Sequence, residues 1–203
     1  MVPMPIADPR DEREVHCRPA EILPFDPPDL APLVGRTAMA GHIPFLFGLT
    51  RGIAARHVVE IGLGGANSAL CFLLALRETG GRLTSIDVAP CEQAAARIRD
   101  AGLDDRWNFI RLPSEMAVGQ VASAEPIDVL MIDGKHSYGQ CRRDYFRFAP
   151  LVRRGGYVLF HDSSTIEGVV RFTGELLDRG LGGVNHDWCN GLFVFRRADE
   201  RIW

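Results

Sequence analysis

The run Val58-Val59-Glu60-Ile61-Gly62-Leu63-Gly64-Gly65-Ala66-Asn67-Ser68 begins as an apolar strand, ends in a carboxylate and breaks into glycines. A helix-forming run, Ala69-Leu70-Cys71-Phe72-Leu73-Leu74-Ala75-Leu76, follows at once. A strand that turns through glycines straight into a helix is half of a parallel α/β unit, and open sheets of this kind bind ligands at such turns. Glycine suits that place because a Cβ would block a closely approaching ligand and penalise positive φ. Glu60 narrows the choice of ligand. It would repel a pyrophosphate, and no Lys or Arg stands between Glu60 and Arg77 to offset the repulsion. A cationic small molecule would be favoured instead.

The chain around this turn alternates. Short β-rich runs predict strands at 57–61, 83–87, 107–112, 127–132 and 156–161. Helical stretches are expected between and after them, at 67–78, 91–102, 114–123, 138–152 and 165–179, with a further helix-like run over 30–53 broken at Pro44. Parallel strands need crossovers of about a dozen residues, which these helices supply. At the end of the chain Val184 to Trp188 and Leu192 to Arg197 flank Cys189-Asn190-Gly191, a hairpin signal. The expected fold is α/β: a doubly wound, mostly parallel, seven-stranded Rossmann-like sheet closed by an antiparallel C-terminal hairpin. Residues 1–40, rich in proline and carrying the charged patch Asp8 to Arg18, read as an N-terminal arm and candidate lid, and 41–203 as one ligand-binding domain.

The formal charge of −3, with arginine pairs scattered at 142–143, 153–154 and 196–197, argues against a nucleic-acid partner. No apolar run approaches the roughly 18 to 20 residues of a membrane span, and Met1 to Pro5 lacks the features of a signal peptide, so a cytoplasmic location is expected. Five widely spaced cysteines without a Cys-x-x-Cys pair are expected to be free thiols.

Two further stretches carry chemistry. In Ile127-Asp128-Val129-Leu130-Met131-Ile132-Asp133-Gly134-Lys135-His136-Ser137-Tyr138 the apolar run ends in Asp133, and Gly134 lets the chain turn so that His136 faces the same cleft. In Gly156-Tyr157-Val158-Leu159-Phe160-His161-Asp162-Ser163-Ser164 the fifth strand reaches that edge with Asp162, an oxygen ligand suited to a magnesium-like ion. His16, His42, His57 and His186 have no such company and read as structural or surface residues. Trp107 and Trp188 are expected in the core.

The glycine turn, Asp87 at the end of the second strand and the final hairpin resemble the class I S-adenosylmethionine-dependent methyltransferases over about residues 40–197. The resemblance implies that Glu60, Gly62 and Gly64 hold the methionine part of that cofactor and that Asp87 bonds the ribose hydroxyls. Asn67, Ser114 and Asp133 complete the expected cofactor-binding set, Ser114 on the adenine side. Ile-Asp-Gly-x-His-Ser-Tyr resembles small-molecule O-methyltransferases of the macrocin and mycinamicin type, and implies a divalent cation on Asp133 and His136 as general base. Asp162 is the second expected metal ligand, for Mg2+ or another divalent cation, while His161 stands where metal-dependent members carry an acid. An alcohol proton leaves at neutral pH only with help, from a positioned imidazole or from a metal that lowers the alcohol's pKa.

The expected reaction is therefore methyl transfer to a hydroxyl of a small-molecule acceptor. An NAD-linked oxidoreductase is disfavoured by Glu60 and by Asn67, which occupies the third fingerprint-glycine position. A catalytically inactive cofactor-binding module would need neither Asp133 nor His136. With so little N-terminal material, either the acceptor is small or a homo-oligomer completes its pocket.

Overall fold

The structure, a computed structural model, describes Leu30 and residues 37–198. The expected N-terminal arm lies almost entirely outside these residues, as do His16 and Cys17. The described chain opens with helix α1 (Ile43–Gly52) and strand β1 (His57–Ile61). There follow α2 (Asn67–Thr79), β2 (Arg82–Asp87), α3 (Glu92–Asp100), β3 (Trp107–Arg111), α4 (Ser114–Ala122), β4 (Ile127–Ile132), α5 (Tyr138–Phe148) and β5 (Val152–His161). Helix α6 (Glu167–Asp178) then leads to β6 (Gly183–His186) and β7 (Leu192–Arg196).

The seven strands lie in the order β3-β2-β1-β4-β5-β7-β6. The first five are parallel, and β7 runs antiparallel between β5 and β6. This is the expected doubly wound sheet with its closing hairpin. Strands β1 and β4 are buried along their whole length, as strands covered on both faces must be. Their side chains alternate between two cores. Val58, Val129 and Met131 pack with Phe47 of α1, Phe72 of α2 and Ile98 of α3. Val59, Leu130 and Ile132 pack with Val121 of α4, Tyr145 of α5 and Phe172 of α6 on the other face. The chain leaves β1 toward β2 on one side and β4 lies on the other, so the gap between the carboxyl ends of β1 and β4 is the topological switch point where ligands bind.

Five local expectations are corrected. Pro44 does not break a helix but sits in the first turn of α1, where its missing N–H has no partner to lose. Helix α5 stops at Phe148, just before Pro150, instead of running to 152. Strand β5 starts at Val152 and passes an irregularity opposite Ile127 and Val129, with Gly155 at φ 77°. Trp188 is exposed in the turn between β6 and β7, whereas Trp107 packs against the first core and donates Nε1–H to Ser85 at 3.0 Å. His57 is structural as expected, with its ring nitrogens 2.8 Å from the Glu125 carbonyl and 3.1 Å from Thr84 Oγ1. Cys189 departs from the free-thiol expectation: it is disulfide-bonded. No helix among the described residues is long and apolar enough to cross a membrane.

Candidate active site

The switch point opens into a cavity of about 440 Å³ whose walls include Gly62, Gly64, Asp87, Ser114, Asp133 and Asp144. A smaller recess of about 130 Å³ adjoins it, lined by Gly64, Asn67, Ser68 and Asp133 among others. Gly64 and Asp133 thus border both spaces. The glycine turn is tied to the sheet, since Gly62 N–H donates to the Ile86 carbonyl at 2.8 Å and Asp133 N–H to the Ile61 carbonyl at 2.9 Å.

The two glycines differ in what they allow. A Cβ on Gly62, whose φ is +95°, would overlap the Asp133 carbonyl oxygen and stand 2.9 Å from Gly134 Cα. A Cβ on Gly64, at φ +49°, would meet nothing within 4 Å. Gly62 therefore lets β1 pass close to the end of β4, while Gly64 keeps the cavity floor bare.

Glu60 is fully buried behind the turn and lines neither space. Its Oε1 accepts from Ser85 Oγ at 2.7 Å and its Oε2 from Ser68 Oγ at 2.9 Å. Burial pushes its pKa up to about 8, against those two hydrogen bonds, so the carboxyl holds its proton at neutral pH. The expected cation-attracting charge is absent in this state, and Glu60 acts on the cavity through Ser68, which does line the recess.

Asp87, at the end of β2, accepts the Leu63 N–H on Oδ2 and the Ala89 N–H on Oδ1, both at 2.9 Å. Half-buried, it lines the main cavity and has lone pairs left for hydroxyl donors. Asn67 begins α2 beside the recess and donates Nδ2–H to Thr37 Oγ1 at 3.1 Å. Ser114 is buried at the far end of the cavity and donates to Asp144 Oδ1 at 2.5 Å. Gln140 Nε2 donates to the same Asp144 oxygen at 2.9 Å, and burial raises the Asp144 pKa. Asp144 and Gln140 are cavity residues missing from the sequence-derived set. Their signal was there: on α5 they share a buried stripe with Cys141, Tyr145 and Phe148.

At the other end, Asp133, His136, His161 and Asp162 come together from the ends of β4 and β5. His136 Nε2 lies 3.2 Å from Asp133 Oδ1 and 2.9 Å from Asp162 Oδ2. His161 Nδ1 lies 3.2 Å from the same Asp133 oxygen and 3.3 Å from Asp162 Oδ1. Hydrogen bonds to Asp133 and Asp162 raise the His136 pKa to about 9 despite partial burial. Burial works against a charge on His161, yet the same two carboxylates raise it to about 10. Burial also opposes ionisation of Asp162, but bonds from both imidazoles hold its carboxyl well below the usual range. The expected base is thus protonated at neutral pH while both carboxylates face it.

The backbone is shaped to make this cluster. Gly168 at the start of α6 lets that helix close on the main chain of His136 and Tyr138, where a Cβ would overlap the His136 carbonyl. Asp162 sits at φ 61°, unusual for a non-glycine residue, and Asn190 Nδ2 holds its Oδ1 at 3.1 Å. His42, read as a structural or surface residue, is buried with its ring centroid 5.7 Å from that of His161. Burial, then the neighbouring His161, lower its pKa to about 4, so it stays neutral. Nothing in the local sequence around His42 announces this contact, because the segment before α1 is placed there by packing on α2 and on the turn between β6 and β7.

Comparison with known proteins agrees with this fold. The sequence model of a family described as "Methyltransferase domain" matches residues 59–163, just over half of the chain. No curated protein matches. The O-methyltransferase TomG of Streptomyces achromogenes, involved in tomaymycin synthesis and solved with SAM, superposes with a TM-score of 0.70 at 19% identity, over 89% of this chain and 94% of that one. An O-methyltransferase of Bacillus cereus solved with SAH gives 0.67 at 17% identity, over 87% and 94%. The SAH-bound methyltransferase PaMTH1 of Podospora anserina gives 0.67 at 14% identity, over 86% and 89%. At these identities the likeness shows the fold, while the matched segment runs from β1 through the glycine turn to Asp162, and on that ground the chain belongs to the methyltransferase-domain family.

Proposed function

We propose that this methyltransferase moves the methyl group of S-adenosylmethionine to a hydroxyl of a small molecule. The observation that carries the reading is the position of Asp133, which borders both the main cavity and the recess beside the glycine turn and also bonds His136. A cofactor laid along the cavity would place its methionine portion over Gly64 and Ser68, its ribose on Asp87 and its adenine toward Ser114 and Asp144. Its sulfonium would then face the cluster of carboxylates and imidazoles. The named neighbours support this reading, since TomG and the Bacillus cereus protein are described as O-methyltransferases and were solved with SAM and SAH.

Methyl transfer is an in-line displacement at the sulfonium methyl, so most of the work is alignment plus removal of one proton. His136 Nε2 is the proposed acceptor of that proton. It can serve once Asp133 and Asp162 are engaged elsewhere, because those two carboxylates are what hold its own proton. The ligating atoms of Asp133, His136 and Asp162 lie within 4.8 Å of one another, a spacing that fits a divalent ion. An ion held on Asp133 and Asp162 would add positive charge that acidifies the acceptor hydroxyl. A dinucleotide fits less well: Asp87, Glu115, Asp133 and Asp144 line the main cavity against Lys135 alone, which is poor company for a pyrophosphate.

Calorimetric titration with S-adenosylmethionine, S-adenosylhomocysteine and NAD tests the proposal. Binding of the first two and not of NAD is the expected result, and NAD binding alone would overturn it.

A further inference from the structure

We infer that the ion taken at the β4–β5 edge is a borderline transition ion such as manganese, cobalt or zinc instead of magnesium, with His161 Nδ1 as a protein ligand beside Asp133 and Asp162. The inference rests on the methyl-transfer reading only for what the ion is used for.

The spacing admits His161, and its burial favours it. An octahedral ion with bonds of about 2.1 Å sets neighbouring donors about 3 Å apart. His161 Nδ1 stands 3.2 Å from Asp133 Oδ1 and 3.3 Å from Asp162 Oδ1, so it lies at the separation of an adjacent ligand from each carboxylate. The ring is also fixed. Its side chain is only 5% exposed, and β5 holds its backbone by pairing His161 with Leu192 of β7. Its Nε2 has no hydrogen-bond partner among the described residues, so the polar contacts that orient the imidazole all run through Nδ1, toward the two carboxylates.

His136 Nε2 is equally near both carboxylates, but its side chain is 36% exposed on the turn after β4. It is the nitrogen left accessible to an acceptor. His161 is not, which suits a ligand better than a base.

The donor chemistry then chooses the ion. Magnesium demands near-ideal octahedral oxygen coordination and gives up water reluctantly. An imidazole nitrogen in the inner set favours manganese, cobalt, nickel or zinc, which accept mixed nitrogen and oxygen ligands. Two carboxylates with one fixed imidazole make a facial set that leaves positions open for an acceptor oxygen.

The test uses the full chain, freed of bound ions by chelation. Calorimetric titrations with MgCl2, MnCl2, CoCl2 and ZnCl2 are run on the wild type and on His161→Asp, alongside pulsed EPR of the Mn2+-loaded protein for nitrogen coupling. Manganese, cobalt and zinc should bind at least about tenfold tighter than magnesium, and His161→Asp should lose that margin. The nitrogen coupling should survive in His136→Ala and vanish in His161→Asp. Magnesium binding as tightly as the others, no ion binding at all, or a coupling that vanishes in His136→Ala would each overturn the inference. Should His161→Asp fail to fold, the wild-type and His136→Ala spectra decide alone. Titration with S-adenosylhomocysteine separates the two readings, because loss of cofactor binding with ion binding intact sinks methyl transfer and leaves the ion assignment standing.

Discussion

A Cβ on Gly62 would overlap the main-chain carbonyl of Asp133, so the first glycine of the turn is required by the approach of β1 to β4 and not by a ligand. Gly64, whose Cβ would meet nothing, is the glycine that leaves the cavity open. One turn thus answers two demands at positions two residues apart.

The two glycines should separate in experiment. Gly62→Ala is expected to destabilise the protein by about 2 to 4 kcal/mol, from backbone overlap together with an unfavourable φ. Gly64→Val should melt closer to the wild type yet bind S-adenosylhomocysteine much more weakly. Thermal melts with cofactor titrations check this, and a well-folded Gly62→Ala protein would contradict it.

Glu60 makes stability depend on pH in a defined sense. Its folded pKa of about 8 lies above the ordinary glutamate value of 4.5, so between those values the native state keeps a proton that the unfolded chain has lost. Stability therefore falls as pH rises through that window, by an amount on the order of a few kcal/mol. Glu60→Gln keeps the shape, can still hydrogen-bond Ser68 and Ser85, and cannot ionise. Denaturant midpoints between pH 5 and pH 8 should decline in the wild type and decline less in this variant, the remaining fall above pH 6.5 coming from His136 and His161.

Most of the fold was legible because its strands are short apolar runs and its turns carry glycine, and both are local signals. β4 was placed at 127–132, where it lies. The site was legible at strand ends: Asp87, Asp133 and Asp162 all emerge at the carboxyl edge. What could not be read was which way a side chain is held. Glu60 looked like a charge facing the ligand, but serines on α2 and β2 draw it inward and burial neutralises it. His42 reaches the site through packing between distant segments, which has no local sequence signature, whereas Asp144 sits on a stripe of α5 that the sequence did mark.

Asp87 tests the placement of the cofactor. Because its two oxygens already hold the Leu63 and Ala89 N–H groups, Asp87→Ala removes both the proposed ribose acceptor and a brace of the glycine turn. S-adenosylhomocysteine binding should weaken by about 1 to 3 kcal/mol. Asp87→Asn, which retains one acceptor oxygen, should lose less. Calorimetry comparing the two variants measures the difference, and unchanged affinity in Asp87→Ala would put the ribose elsewhere.

His136 tests the chemistry itself. As the proposed base it contacts the acceptor proton and not the cofactor, since it borders neither the cavity floor nor the recess. His136→Ala should lower kcat by roughly 10²- to 10⁴-fold while leaving S-adenosylhomocysteine affinity little changed. The same substitution removes one of the two imidazoles facing Asp133 and Asp162, so melting must be followed in parallel. A variant that melts like the wild type, binds cofactor and turns over slowly identifies a base, because only the proton-transfer step has been lost. If kcat and cofactor affinity fall together, His136 shapes the site instead, and the hydroxyl must lose its proton by another route.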